Sequence, residues 1–237
     1  MLDVTSPKEV FSAHDFRAHA ILAVMGVARG GKLPILCGGT GFYIDALVGR
    51  IHLPDVPRDP SLRQRLEKKS TATLFTMLKK RDPRRAHSID PHNKHRLIRA
   101  LEIAEAIGKS PARSTKKGSD FEALWIGLAW NKKELERRIR ARLMARLKHG
   151  MIREARRLHA GGLSYKRMES FGLEYRSLSR FLRKNISRAE LEQELARDIP
   201  RYAKRQLTYW RRNKDIRWFT PSQKHLIPEK VRAWIKD

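Results

Sequence analysis

Apolar residues Phe16, Ala20, Val24 and Val27 recur at helical spacing behind Ser12-x-x-Asp15, a capping-box pattern, and Gly30-Gly31 ends the run. The block Leu33–Cys37 is apolar without alternation and stops at Gly38-Gly39-Thr40; Phe42 to Val48 then starts a second helical pattern. This order predicts helix, buried strand, helix, the grammar of a parallel sheet covered by helices. Pro54, Pro57 and Pro60 break the pattern and suit a linker from one lobe into another. Helices are predicted over 61–80 and Lys94–Ile107, with a turn-rich stretch from Asp82-Pro83 to Asp90-Pro91 between them and a polar loop from Gly108 to Gly118. Ala123–Ala129 predicts another buried strand, and a long basic helix runs from near Lys132 toward Lys148. Gly150 and Gly161-Gly162 punctuate the helices that follow, Glu190–Arg212 forms the last long helix, and Ile216–Phe219 a short final strand. The expectation is an α/β core of residues 1–50 and 120–237 with a small helical lobe, 51–119, inserted between strands. Leu2-Asp3-Val4 reads as the end of a strand or turn, so the chain is expected to start inside a domain.

Charge changes this picture more than composition does. An apolar fraction of 41% allows an ordinary core, but 52 Lys+Arg against 25 Asp+Glu gives +27. A field of that size selects polyanions, with nucleic acid the default partner and acidic lipid the rival. No apolar run approaches the roughly 18–20 residues of a spanning helix. Met1 leads straight into polar Asp3, Thr5 and Ser6, without a signal peptide, which places the chain in the cytoplasm. The single cysteine, Cys37, excludes an internal disulfide and a cysteine-built zinc cluster; inside its apolar block it reads as a buried small hydrophobe.

Three constellations carry candidate chemistry. At Gly38, Gly39 and Thr40, glycines at a strand-to-helix turn let backbone N–H groups approach a ligand, so the turn is either a phosphate or diphosphate site or a structural turn. Arg201-Tyr-Ala-Lys-Arg-Gln-Leu-Thr-Tyr-Trp-Arg-Arg212 joins cations to Gln206, Thr208, Tyr209 and Trp210. Its cations can pair with phosphates, its polar groups with base edges or ribose, and its aromatics with unpaired bases. The plainer reading is a basic amphipathic helix, and both predict Leu207 and Trp210 largely buried. In Asn93-Lys-His-Arg-Leu-Ile-Arg-Ala-Leu-Glu102, His95 and Arg99 lie one helical turn apart. With Arg96 they form a phosphate-facing edge or a solvated face, while Leu97, Leu101 and Ala104 point inward. None of the nine histidines has metal-motif spacing with an acidic partner, so no metal site is read from the residues. Gly-x-Ser-x-Gly and Gly-x-x-x-x-Gly-Lys-[Ser/Thr] are both missing from the sequence.

Taken in order, Leu2-Asp-Val-x-x-Pro7, Phe11-Ser-Ala-x-Asp-Phe16, Leu33–Tyr43, Arg96-Leu-Ile-Arg-Ala-Leu-Glu102, Gly172-Leu-Glu-Tyr175 and Tyr202-Ala-Lys-Arg-Gln-Leu-Thr-Tyr-Trp210 resemble the tRNA dimethylallyltransferase (tRNA isopentenyltransferase) family. The resemblance implies a P-loop-NTPase-like α/β core with an inserted helical lobe, and nucleotide binding in the P-loop (ATP-binding) sense. It implies transfer of a dimethylallyl group from dimethylallyl diphosphate to N6 of adenosine 37 in the tRNA anticodon stem-loop, with Mg2+ assisting the diphosphate. Donors must then stabilise charge on the leaving oxygens, and the adenine must leave its stack. Carried over by position, Thr40 lines the reaction channel and, with Gly38, Gly39 and Arg201, binds the diphosphate. Arg63 contacts tRNA, as do His95, Arg96, Leu97, Ile98 and Arg99, and Lys204, Arg205, Gln206, Leu207, Thr208 and Tyr209. The family's P-loop, the first sheet strand and the general-base Asp are not in this sequence, and the family's diphosphate-contacting Arg is replaced by Pro200, with Arg201 beside it. The expected protein is a monomeric tRNA prenyltransferase of the cytoplasm, impaired in this chain as given. The alternative is a non-catalytic RNA-binding protein derived from that family. Prenylation of free adenine nucleotides suits the basic surface less well.

Overall fold

The computed structural model describes residues 1–108 and 121–236. In chain order the elements are α1 (Ala13–Arg29), α2 (Gly41–Leu47), α3 (Pro60–Glu67), α4 (Thr71–Arg81), α5 (Pro83–Ser88), α6 (Lys94–Ile107), β1 (Ile126–Leu128), α7 (Lys132–Lys148), α8 (Met151–Ala160), α9 (Tyr165–Ser170), α10 (Leu173–Leu182), α11 (Arg188–Trp210), β2 (Arg217–Phe219), a 3-10 turn (Pro221–Leu226) and α12 (Ile227–Lys236). The protein is mostly helical α/β with a small parallel sheet: β1 pairs with β2, Ile126 opposite Arg217 and Leu128 opposite Phe219. Of the polar loop expected from Gly108 to Gly118, residues 109–118 lie outside the described residues. Contacts divide the chain into Met1–Ile44 with Phe121–Asp237, and Asp45–Asp120.

Short polar side chains start most helices. Ser12 Oγ accepts from the Asp15 N–H while Asp15 accepts from the Ser12 N–H, and Ser187 and Glu190 repeat the box at α11. Asp59, Ser70, Asp82, Asn93, Asn131 and Ser164 each accept from the N–H three residues on, satisfying one of the donors that a helix start leaves open. Ser70 splits the helix expected over 61–80 into α3 and α4, and Asp82-Pro83 builds the short α5 in the stretch expected to be turns.

In the first unit the core is a helical layer. Ile139, Leu143 and Leu147 of α7 and Leu191, Leu195 and Ile199 of α11, each spaced four apart, close over Met151, Ile152, Ala155, Met168 and Leu178. Pro200 sits inside α11, just past the last of these buried residues. In the second unit Leu62, Leu66, Leu74, Leu78, Leu97, Ile98 and Leu101 form a separate core.

Two expectations about the sheet fail. Leu33–Cys37 is not a strand: the segment has no regular secondary structure, Ile35 is 85% exposed, and Leu33, Leu36 and Cys37 are exposed. A strand needs a neighbour to take its N–H and C=O groups and a layer to cover its side chains, and among the described residues neither reaches this run. Cys37 is therefore not the buried hydrophobe expected. The strand expected over Ala123–Ala129 shrinks to three residues and is not buried, since among the described residues β2 is its sole strand partner; Leu128 is exposed.

Candidate site at the glycine turn and the basic helix

The Gly38-Gly39-Thr40 turn leads into α2, whose first bonds run from the Tyr43 and Ile44 N–H groups to the Thr40 carbonyl at 3.0 and 3.3 Å. Close packing accounts for two of the glycines here. A Cβ on Gly39 would stand 2.5 Å from the Gln206 amide, and one on Gly41 would stand 2.2 Å from the Tyr209 ring. The last turns of α11 thus lie directly against the glycine turn. Gln206 and Tyr209 are three apart and share one face of α11. Two motifs far apart in sequence become one surface, with the exposed Thr40 between the two glycines that α11 approaches.

Aromatic groups gather along this end of α11. The Arg212 guanidinium covers the Tyr209 ring at 4.3 Å, and Arg205 lies 5.6 Å from the Tyr202 ring. Trp210 meets Tyr209 edge-on at 5.6 Å and Trp125 at 5.8 Å. Leu207 and Trp210 are half-buried rather than largely buried, with the Trp210 ring against Trp125. Lys204, Arg205 and Thr208 are exposed, and the Thr208 hydroxyl donates to the Lys204 carbonyl at 3.0 Å. Arg201 is paired on its own element. It stands about 140° around α11 from Gln206 at 100° per residue, and its nearest carboxylate is Asp198 at 3.4 Å.

In the second unit the candidate residues separate into two groups. His95 and Arg96 are exposed. Leu97 and Ile98 are not surface contacts: their side chains lie in the core, because α6 turns that stripe onto α3 and α4. Arg63 and Arg99 converge on Glu102, a carboxylate only 2% exposed. Arg63 donates Nε and Nη2 to its two oxygens, each at 2.7 Å, and Arg99 adds Nη1. The Asp59 N–H donates to Glu102 Oε1 at 2.8 Å, and Arg99 Nη2 donates to the Val56 carbonyl at 2.9 Å. Burial by itself would raise the Glu102 pKa; the hydrogen bonds from Arg63, Arg99 and Asp59 overcome it and bring the carboxyl down to about 2. The clamp ties the entry of the unit (Val56, Asp59) to α3 and α6. Sequence reading gave Glu102 no role, yet a carboxylate four residues after Ile98 and one after Leu101, on the apolar side of the helix, is a signal for a paired buried charge.

Gly172-Leu-Glu-Tyr175 is structural in the first unit. Gly172, at φ +94°, starts α10; Glu174 pairs with Arg146 at 2.5 Å; and the Tyr175 hydroxyl donates to Glu154, which with burial raises its pKa. No group of three or more His, Cys, Asp or Glu able to hold a metal occurs among the described residues. No helix among the described residues is long and apolar enough to cross a membrane.

Known proteins resemble the chain over most of its length. The sequence model of IPP transferase matches residues 1–213. A tRNA dimethylallyltransferase 2 of Pelobacter propionicus is 40% identical over 212 residues, 90% of this chain and 67% of that protein. A tRNA dimethylallyltransferase 1 of Syntrophus aciditrophicus is 32% identical over 237 residues, 98% of this chain and 78% of that protein. The crystal structure of a tRNA isopentenylpyrophosphate transferase from Bacillus halodurans superposes with a TM-score of 0.67 at 31% identity, covering 99% of this chain and 76% of that one. A eukaryotic dimethylallyltransferase acting on tRNA, at 21% identity and a TM-score of 0.75, shares the fold. The chain belongs to the IPP transferase family.

Proposed function

We propose that this chain acts in tRNA dimethylallyl transfer: it binds the tRNA anticodon stem-loop and dimethylallyl diphosphate and directs the allylic group to N6 of adenosine 37. The observation that carries the reading is the packing of Gln206 and Tyr209 against Gly39 and Gly41 beside Thr40. In the reaction the N6 nitrogen forms a bond to the allylic carbon, the carbon–oxygen bond to the diphosphate breaks, and the nitrogen loses a proton. The Thr40 hydroxyl and the backbone N–H groups of Gly38 and Gly39 are donors suited to the leaving oxygens. The Tyr209 and Trp210 rings offer faces for an unstacked base, and Lys204 and Arg205 offer charge to the flanking phosphates. The roles proposed for these residues are binding and orientation. The proposal takes the protein as a monomer of the cytoplasm.

A second reading, an RNA-binding protein without turnover, is favoured by the net charge of +27, which selects polyanions whether or not a reaction follows. Purified chain is mixed with a tRNA transcript and labelled dimethylallyl diphosphate, and binding and transfer are both read. Binding that weakens steeply with salt, and transfer that drops on Thr40→Ala and Tyr209→Ala, support the first reading. Binding with no turnover supports the second. A folded chain that fails to bind tRNA at low salt refutes both.

A further inference from the structure

A depression of about 290 Å³ opens on the first unit, lined by Leu147, Lys148, Gly150, Ile152, Arg153, Arg156, Phe181 and Arg188. Its apolar lining comes from Leu147, Ile152 and Phe181; every ionisable side chain lining it is a cation. Arg188 is held by Glu192 at 2.6 Å, and Glu154, the acidic residue nearest in sequence to Arg153 and Arg156, is engaged by Tyr175. Lys148, Arg153 and Arg156 make no ion pair among the described residues and stay exposed. Gly150, at φ +103°, carries no side chain there, and the Arg153 guanidinium lies over it, 3.0 Å from where a Cβ would be. Three unneutralised cations around a concave apolar floor concentrate positive potential that has no internal use.

We propose that this depression binds a backbone phosphate of the RNA, as a second anchor remote from the reaction turn. This rests on the tRNA reading above. Arg188 opens α11 and Gln206 lies near its end, so the anchor stands about 27 Å along the helix from the glycine turn at 1.5 Å per residue. That span corresponds to roughly eight or more base pairs of duplex axis. An RNA that only fills the turn cannot reach the depression, whereas a full-length tRNA can. Arg can take a phosphate in a two-pronged grip, and the apolar floor accommodates the ribose.

The test uses the full chain, with Arg153→Glu/Arg156→Glu and a charge-matched control, Lys230→Glu/Arg232→Glu, on the exposed face of α12. Affinity and its salt dependence are measured for a full-length tRNA transcript and for a hairpin with a stem of about five base pairs. The pocket variant is expected to weaken full-length tRNA binding about tenfold more than the control and to reduce the log–log salt slope by about 1 to 2. Hairpin binding should match the control. Equal losses from both variants, or equal losses on both RNAs, overturn the anchor while leaving the tRNA reading intact. A wild-type chain without tRNA affinity overturns both. Circular dichroism of each variant separates a lost contact from a lost fold, and Arg153→Gln/Arg156→Gln should give a smaller loss in the same direction.

Discussion

Replacing Glu102 by Gln should destabilise the Asp45–Asp120 unit, and the penalty should fade in acid. The carboxyl is lowered from 4.5 to about 2, which converts to about 3 kcal/mol of folding free energy at neutral pH. Removing one partner of a buried ion pair costs about 3–5 kcal/mol by an independent route. The two figures agree, because Gln keeps the shape but leaves Arg63 and Arg99 facing a neutral amide that also presents donors. The sign follows from a depressed pKa: the stabilisation is complete above about pH 4.5 and is lost as pH falls toward 2. Urea denaturation of wild type and Glu102→Gln, with hydrogen exchange at α6 amides reporting on this unit, should give a gap of about 3 kcal/mol at pH 7. The gap should narrow steadily below about pH 4.5. A gap that stays constant with pH, or one under about 1 kcal/mol at pH 7, would show that Glu102 acts through packing and not through charge.

Gly41→Ala should cost about 1–3 kcal/mol and weaken RNA binding, since the new methyl meets the Tyr209 ring at 2.2 Å; Gly39→Ala should cost less, because the Gln206 amide at 2.5 Å can swing aside. Thermal unfolding and tRNA affinity of the pair check this, and equal effects would refute it. Leu97→Ala, at a buried position, should destabilise by about 2–5 kcal/mol while leaving the salt slope of RNA binding unchanged. Ser187→Ala should remove about 1 kcal/mol by opening the α11 capping box, measured by urea denaturation.

What the sequence made legible was whatever is decided locally. The Lys94–Ile107 and Lys132–Lys148 helices fall where the 3.6-residue periodicity puts them, and Ser12 and Asp15 close the box their spacing announces. Leu33–Cys37 went wrong because burial and strand pairing are not local properties: five apolar residues between glycines specify a strand only if another strand arrives. At the site, the periodicity of α6 already turned Leu97 inward, against the surface role carried over from the family. The close approach of Gln206 and Tyr209 to Gly39 and Gly41 was illegible, because nothing in either segment states which surface it will meet.

Pro200 lacks the N–H that would bond to the Ala196 carbonyl, so α11 runs without one rung of its ladder at the junction between a half embedded through Leu191, Leu195 and Ile199 and a half carrying Lys204 to Tyr209. The two halves therefore need not melt together. The embedded half opens only with the helical layer around it, whereas the basic half can fray from the C-terminal side and be re-formed on a ligand, with its ordering entropy charged to that ligand's affinity. Restoring a backbone donor with Pro200→Ala would lengthen the cooperative segment toward Tyr209, leaving a more rigid docking helix that owes less of its order to RNA.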